Sequence, residues 1–497
     1  MKRSKIYIYI LVFALTFGFT SCDNYLDVIP ENEQNSSSYW ETKEEVQAVL
    51  AAGYVSLRSA QERLFLWGEA RGNGITFLGY SNDLQYSAQR VRSLDILLNN
   101  NLAEWGDIYK IINMANSVIK YAPDVVNRDE SFNVNVMNSL LTEAYFLRAL
   151  SYFYLVRTFG DVPYVVEPYV DDEAPYIIAA SDANEILNSS LKDLSANLEA
   201  AKVFFPEADF SNPMNTKGRA TKWAIHALMA DIHLWLGNYR ECIDNCEKII
   251  NSGRVGLIQE MFWFTNFFPG NSNESIFEIQ YSRNLSQTNS FLTWFSGNKN
   301  YLISPYQVLL YDDENDSRGV NASYKESDLT IWKYIGKLAD GQTARQSGTD
   351  NDQNFIIYRL ADIYLMAAES YIMLGTEEDF TTAAEYINLI RLRSGIAEIS
   401  SVSDQELMLK MLLEERQREL FAEGKSWFDI MRIGIRDNQK YRELLTQQVL
   451  EVTGANNQAI IRSKLEDVYS WYLPYHERET SVNPLLKQNP YYEKLGK

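Results

Sequence analysis

The residues best suited to chemistry lie in the run LLEERQRELFAEGKSWFDIMRIG, Leu412 to Gly434. Leu409, Leu413 and Leu420 recur at helical spacing, with Glu415, Arg418, Glu419 and Glu423 between them. Glu415 and Glu419 stand one turn apart with Arg418 beside both, and Asp429 and Arg432 extend the charged set. Three chemistries suit such a set: an acid/base pair on a glycosidic bond, a metal site, or an ion network holding two segments together. Carboxylates and guanidinium groups within one turn neutralise one another, which favours the structural network. The chain has 66 acidic residues, so carboxylate pairs alone decide nothing. No G-x-S-x-G, H-E-x-x-H or Walker motif occurs and only 3 histidines are present, so no enzyme is expected.

Cys242 and Cys246, four apart in YRECIDNCEKII, share a helical face and could join His226 or His233 at zinc. Their spacing repeats no zinc pattern, so buried free thiols are expected and no cofactor is assigned; a Ca2+ site is left open. A different chemistry is offered by rings in Gly- and Asn-rich text. Residues 65–90 interleave Trp67, Phe77, Tyr80 and Tyr86 with Arg71, Asn73 and Asn82, and show no sustained helical period. Residues 253–354 carry Phe262, Trp263, Trp294, Phe295 and Trp332 among Asn, Ser and Gly. Flat rings stack on the C–H faces of sugars while Asn and Arg take hydroxyls in the plane. Trp67, Arg71, Asn73, Phe77, Tyr80, Trp263, Trp294, Phe295 and Trp332 are therefore the candidate ligand residues, with about half of the rings expected in the core.

The elements that must position these groups are mostly helical. EWGDIYKIINMANSVIKY and LLTEAYFLRALSYFYLVRTF are amphipathic, and Gly160-Asp161-Val162-Pro163 stops the second. Residues 217–253 pair two helices across Leu236-Gly237, and Tyr358 to Gly395 does so across Leu374-Gly375, with Ala227, Ala230, Ala367 and Ala368 allowing close approach. A helix is expected from near Thr42, a stop at Gly424, and a short strand in SIFEIQYS. The expected fold is mainly α, a tetratricopeptide-like scaffold of about four helical pairs with long irregular loops and little β structure.

Of 497 residues 13% are aromatic, against disorder, and the formal charge is −20. Residues 1–21 read as an export signal, with Lys2, Arg3 and Lys5 before the apolar stretch Ile6 to Phe19. Without them 43 basic residues face 66 acidic ones, −23, which disfavours nucleic acid and anionic membranes. Thr20-Ser21-Cys22 resembles a bacterial lipobox, so Cys22 is expected to be acylated and to anchor the chain.

Several stretches resemble one family. ERQRELFAEGKSWFDIMR resembles the C-terminal signature of the SusD/RagB family, except that Ser426 stands where Arg or His is common. EAYFLRALSYFYLVRTFGDVP, the Asp27-Val28-x-Pro30 step and the tail WYLPYHERETSVNPLLKQNPYYE are similar to further motifs of that family. The resemblance implies an outer-membrane lipoprotein facing the cell exterior, which captures an oligosaccharide or polysaccharide and passes it to a SusC-like TonB-dependent transporter. It also implies a structural role for Glu415, Arg418, Glu419, Glu423, Asp429 and Arg432. A peptide ligand in the same family, and a surface glycoside hydrolase, are the alternative readings. The domain reading is a signal over 1–21, an N-terminal region over 22–252, and a C-terminal region with the ligand loops and signature helix over 253–497.

Overall fold

The computed structural model describes residues 39–169, 177–205, 214–336, 343–345 and 351–495. Two compact units are distinguished, residues 1–41 and 42–497, and the fold below is that of the second. The export signal, Cys22 and the Asp27-to-Pro30 step lie outside the described residues.

Thr42 begins the scaffold. Its hydroxyl accepts from Glu45 N while the Glu45 carboxylate accepts from Thr42 N at 2.8 Å, a reciprocal cap that starts α1 (Lys43–Ser59). Two shorter helices follow, α2 (Gln61–Glu69) and α3 (Asp83–Arg92). The longer ones are α4 (Gly106–Val125), α5 (Val134–Phe159), α6 (Ala183–Asn197), α7 (Lys222–Leu236) and α8 (Tyr239–Ile250). After an irregular stretch come α9 (Leu360–Leu374), α10 (Glu377–Arg393), α11 (Gln405–Glu419) and α12 (Ser426–Gly434).

In the array α1 packs on α4, and contacts then run in chain order from α4 through α5, α6, α7, α8 and α9 to α10; α11 also packs on α9. Each unit buries its apolar face on its neighbours, the logic of helical repeats. Gly237 and Gly375 close α7 and α9 with φ of 81° and 80°, the left-handed cap that lets the chain reverse into the partner helix. Ala227, Ala230, Ala367 and Ala368 are buried, as are both thiols, and Cys242 Sγ lies 4.0 Å from Met366 O across the α8–α9 contact. His226 Nδ1 meets Asn245 Oδ1 at 2.8 Å, and no group of three metal-ligating side chains occurs among the described residues.

Among the described residues the strands form antiparallel pairs, besides a few isolated bridges: β1 (Ile75–Phe77) with β5 (Tyr301–Ile303), β2 (Val162–Pro163) with β3 (Ala180–Ser181), and β4 (Ser275–Ile279) with β6 (Phe355–Arg359). The fold is mainly α with little β. No helix of the described residues is long and apolar enough to cross a membrane.

Two expectations about local structure are corrected. Residues 65–90 are not one irregular loop, because α2 and α3 flank β1 within them. Helix α2 buries almost every side chain, so it shows no apolar stripe and no period. Helix α11 ends at Glu419 rather than Gly424. Lys333 Nζ takes Glu419 O at 2.9 Å and Phe421 O at 2.8 Å, and the Tyr334 hydroxyl takes Ala422 O at 3.0 Å, so these carbonyls point away from a helical ladder.

Candidate functional site: an aromatic rim and a buried ion network

Apart from the half-buried Glu414, the carboxylates of the signature run are buried, and their partners come mainly from other elements. Glu415 meets Arg318 at 2.6 Å and Arg391 at 3.0 Å. Glu419 is bonded by Arg318 at 2.9 Å and also by Arg359 and Arg393. Glu423 takes Lys333 at 2.6 Å and Arg359 at 2.8 Å, and Arg359 reaches Glu274 at 2.7 Å. Burial alone would raise the Glu419 carboxyl, but Arg393, Arg359 and Arg318 hold it well below the usual carboxylate range. In α12, Asp429 receives Arg416 at 2.8 Å and Arg432 at 2.9 Å, and Arg432 grips Glu369 of α9 at 2.6 and 2.7 Å.

Arg418 pairs within its own helix, 3.9 Å from Glu414, and also reaches another segment. It stands 3.6 Å from Glu415 and gives its Nε to Leu310 O at 2.7 Å. Glu415, Glu419, Glu423 and Asp429 are thus enclosed and paired. Removing one partner of so buried a pair costs about 3–5 kcal/mol.

Most of the candidate rings are in the core, which corrects their assignment to a ligand. Trp67 donates its Nε1 to Leu102 O at 2.8 Å and meets Phe159 edge-on. Trp294 and Phe295 are enclosed in a ring cluster with Phe65, Phe291 and Tyr301. Trp263 is buried against Phe267, and Trp332 is buried under the Lys325 ammonium, 3.8 Å from its ring. Arg71 is buried over the Trp427 ring at 4.3 Å, and Asn73 gives its amide to Gln448 at 2.6 Å. Ser426, the departure from the family motif, reaches Asn73 Oδ1 at 3.4 Å and forms no ion pair. Rings in Asn- and Gly-rich text need not be exposed, because loops folded back on a scaffold supply a core of their own.

Two candidates remain at the surface. Phe77 is half-buried edge-on to Tyr301, and Tyr80 is 57% exposed. Tyr80 is not alone: its ring meets Tyr86 edge-to-face at 5.0 Å, Tyr86 is 41% exposed, and Leu78 beside them is 63% exposed. The pairing of β1 with β5 builds this rim by setting residues 77–81 against 298–301, with Leu78 N donating to Asn300 O at 2.9 Å. The Ser81 hydroxyl accepts from the amides of Asn298 and Asn300, each at 3.0 Å. Asn82 caps α3 by accepting from Gln85 N at 2.9 Å, which fixes Tyr86 one turn further on. Lys299 and Asp328 pair at 2.9 Å, and Lys299 together with Thr330 holds the Asp328 carboxyl down at about 2.

The rim thus offers two ring faces and a leucine, flanked by exposed amides and one ion pair. It suits a ligand with alternating apolar and hydroxylated faces. Of its members Leu78, Ser81, Asn298 and Lys299 are invisible to sequence reasoning. For Asn298 and Lys299, only a pairing between strands more than 200 residues apart brings them to the tyrosines.

The helical-repeat scaffold thus carries an exposed aromatic rim at a pair of antiparallel strands. The chain matches the SusD family over residues 288–492, and over residues 24–234 a family described as starch-binding and associating with the outer membrane. It belongs to the SusD/RagB family, whose members associate with the outer membrane. It is 26% identical to SusD-like protein P38 of Formosa agariphila, over 99% of this chain and 100% of that one. Its fold is similar to surface glycan-binding protein A from Bacteroides uniformis, at a TM-score of 0.72, 21% identity, and 90% and 100% of the two chains. A laminarin-binding SusD-like protein is similar at a TM-score of 0.71 and 18% identity, over 91% and 100% of the chains.

Proposed function

We propose that this protein binds an oligosaccharide or polysaccharide at the cell surface, without turning it over, and delivers it to a SusC-like TonB-dependent transporter. The observation that carries the reading is the Tyr80–Tyr86 pair, two rings in mutual contact and open to solvent on a rim braced by β1 and β5. Exposed rings beside Leu78 are unfavourable in water unless a ligand packs on them. The glycan and laminarin binding of the two similar structures supports a sugar as that ligand. Anchoring is through the acylated Cys22, with the rim facing the cell exterior.

The test is calorimetric titration of laminari-oligosaccharides and other glycans into wild type, Tyr80→Ala and Tyr86→Ala. Each stacking ring contributes about 0.5–1.5 kcal/mol beyond its area, so each variant should bind about tenfold more weakly at unchanged melting temperature. Wild-type affinity in both variants would move the site elsewhere, and release of new reducing ends would make the protein an enzyme.

A further inference from the structure

The rim continues into a groove. Glu62 accepts hydrogen bonds from the side chains of Asn82 at 3.3 Å and Gln85 at 3.1 Å, and also lines a concavity of about 350 Å³ with Arg58, Ser59, Gln287, Thr288 and Ser290. A second concavity of about 500 Å³ shares Val55, Arg58 and Gln287 with the first and adds Gln47, Gln280 and Arg219. Amides and hydroxyls dominate the first concavity, whereas Leu50, Ala51, Val55 and Leu285 give the second a mainly apolar wall beside its glutamines, a mixture that suits the two kinds of sugar face.

The charge in the larger concavity runs against the rest of the molecule. Two arginines and no carboxylate line it, in a chain with 66 acidic and 46 basic residues. Arg219 is committed to Glu143, in a two-pronged pair at 2.9 and 2.6 Å. Arg58 is not committed. Its Nε donates to Gln280 O at 2.8 Å, its guanidinium lies 5.9 Å from the Tyr281 ring centre, and among the described residues no carboxylate stands within 4.0 Å of it. One edge of the fork is thus anchored on backbone, which leaves Nη1 and Nη2 for the groove that Arg58 lines. Desolvation lowers the Arg58 pKa from its ordinary value, opposed only by Tyr281, as for a cation that no anion of the protein balances. The guanidinium nevertheless keeps its charge at any physiological pH.

We propose that this groove receives an anionic substituent of the bound glycan, a uronate carboxylate or a sulfate ester, on the Nη1/Nη2 edge of Arg58. The ligand class is then an acidic polysaccharide; this rests on the glycan-binding reading above. A chain of net charge −20 repels such a ligand at long range. Salt screens that repulsion beyond about 10 Å, whereas a charge pair in a recess is screened far less.

The experiment titrates one panel of oligosaccharides of matched length into the full chain: a neutral β-glucan, galacturonan and alginate oligomers, and a sulfated galactan. At least one anionic member should bind about tenfold more tightly than the neutral one, and the uronate and sulfate arms identify the anion. Arg58→Gln should abolish the preference, and Arg58→Lys should restore part of it. Val55→Glu, at a position 50% exposed on the groove wall, should abolish it independently. Equal affinity across the panel, or a preference that survives both Arg58→Gln and Val55→Glu, overturns the proposal. Tyr80→Ala separates the two failures. A neutral glycan that binds through Tyr80 with no anionic preference removes only this inference, whereas a panel in which nothing binds removes the glycan reading with it.

Discussion

Glu69 shows how far burial alone can change a side chain. Its Oε1 accepts from Gly424 N at 2.9 Å and Lys425 N at 3.3 Å. Burial nevertheless pushes the carboxyl up from 4.5 to about 8, against the pull of those two amides and of Lys333. Because the folded value lies above the unfolded one, folding favours the protonated form. The stability contribution is complete below about pH 4.5 and is lost as the pH rises to about 8. Glu69→Gln keeps an acceptor for both amides and removes the titration. Its melting temperature should therefore gain on wild type between about pH 5 and about pH 9, by an amount equivalent to a few kcal/mol. A difference between the two proteins that stays constant across that range would rule the mechanism out. The neighbouring network titrates the other way. Glu423 is held below the ordinary carboxylate range by Arg359 and Lys333 against the effect of its burial, so its contribution is full above about pH 4.5 and fades in acid.

Among elements, a close junction joins α2 to the turn that follows α11. A Cβ built on Gly68 would stand 1.8 Å from Gly424 O, inside any allowed contact, and Gly424 itself has a φ of 76°. Gly68→Ala must push α2 off this turn, which also carries the Glu69 hydrogen bonds. The expected loss is about 1–3 kcal/mol or more, read as a lower urea midpoint at unchanged slope. Gly79→Ala, where an added Cβ meets nothing within 4 Å, is the control and should melt like wild type. If both variants melt alike, the junction does not limit stability. That α2 is a helix was hidden in the sequence for the reason that makes it rigid: its polar and apolar side chains alike are enclosed on nearly every side, so no stripe marks it.

At the scale of the molecule, the ion network ties the irregular stretch before α9 to the C-terminal helices. Arg318 and Lys333, from the irregular stretch before α9, are neutralised by carboxylates of α11 and the turn after it, and Arg359 of β6 bridges Glu274 and Glu419. The rim is held rigidly because the strands under it close on the same ring cluster, through Tyr301. Placing such a rim at a membrane surface then depends on the anchor. Acylation of Cys22 predicts incorporation of labelled palmitate in wild type and none in Cys22→Ala, together with release of the variant from the membrane fraction. Equal labelling, or a wild type that fractionates as soluble, would remove the anchor.

The sequence by itself determined what depends on neighbours a few residues away. Thr42 with Glu45 set a helix start, Gly237 and Gly375 set the reversals of the helical pairs, and the alternation of SIFEI set a strand. The charged signature and its lack of catalytic company were legible for the same reason. Only the tertiary structure decided which rings face water. Trp67 and Tyr80 sit in equally aromatic, glycine-punctuated text, yet one is enclosed against Phe159 and the other is open beside Tyr86. The same holds for charge: Arg318 was assigned no role, and it answers carboxylates about a hundred residues away. Exposure and ion pairing are properties of what packs against a side chain, and here the packing partners come from β1 meeting β5, from α11 meeting β6, and from loops no local pattern connects.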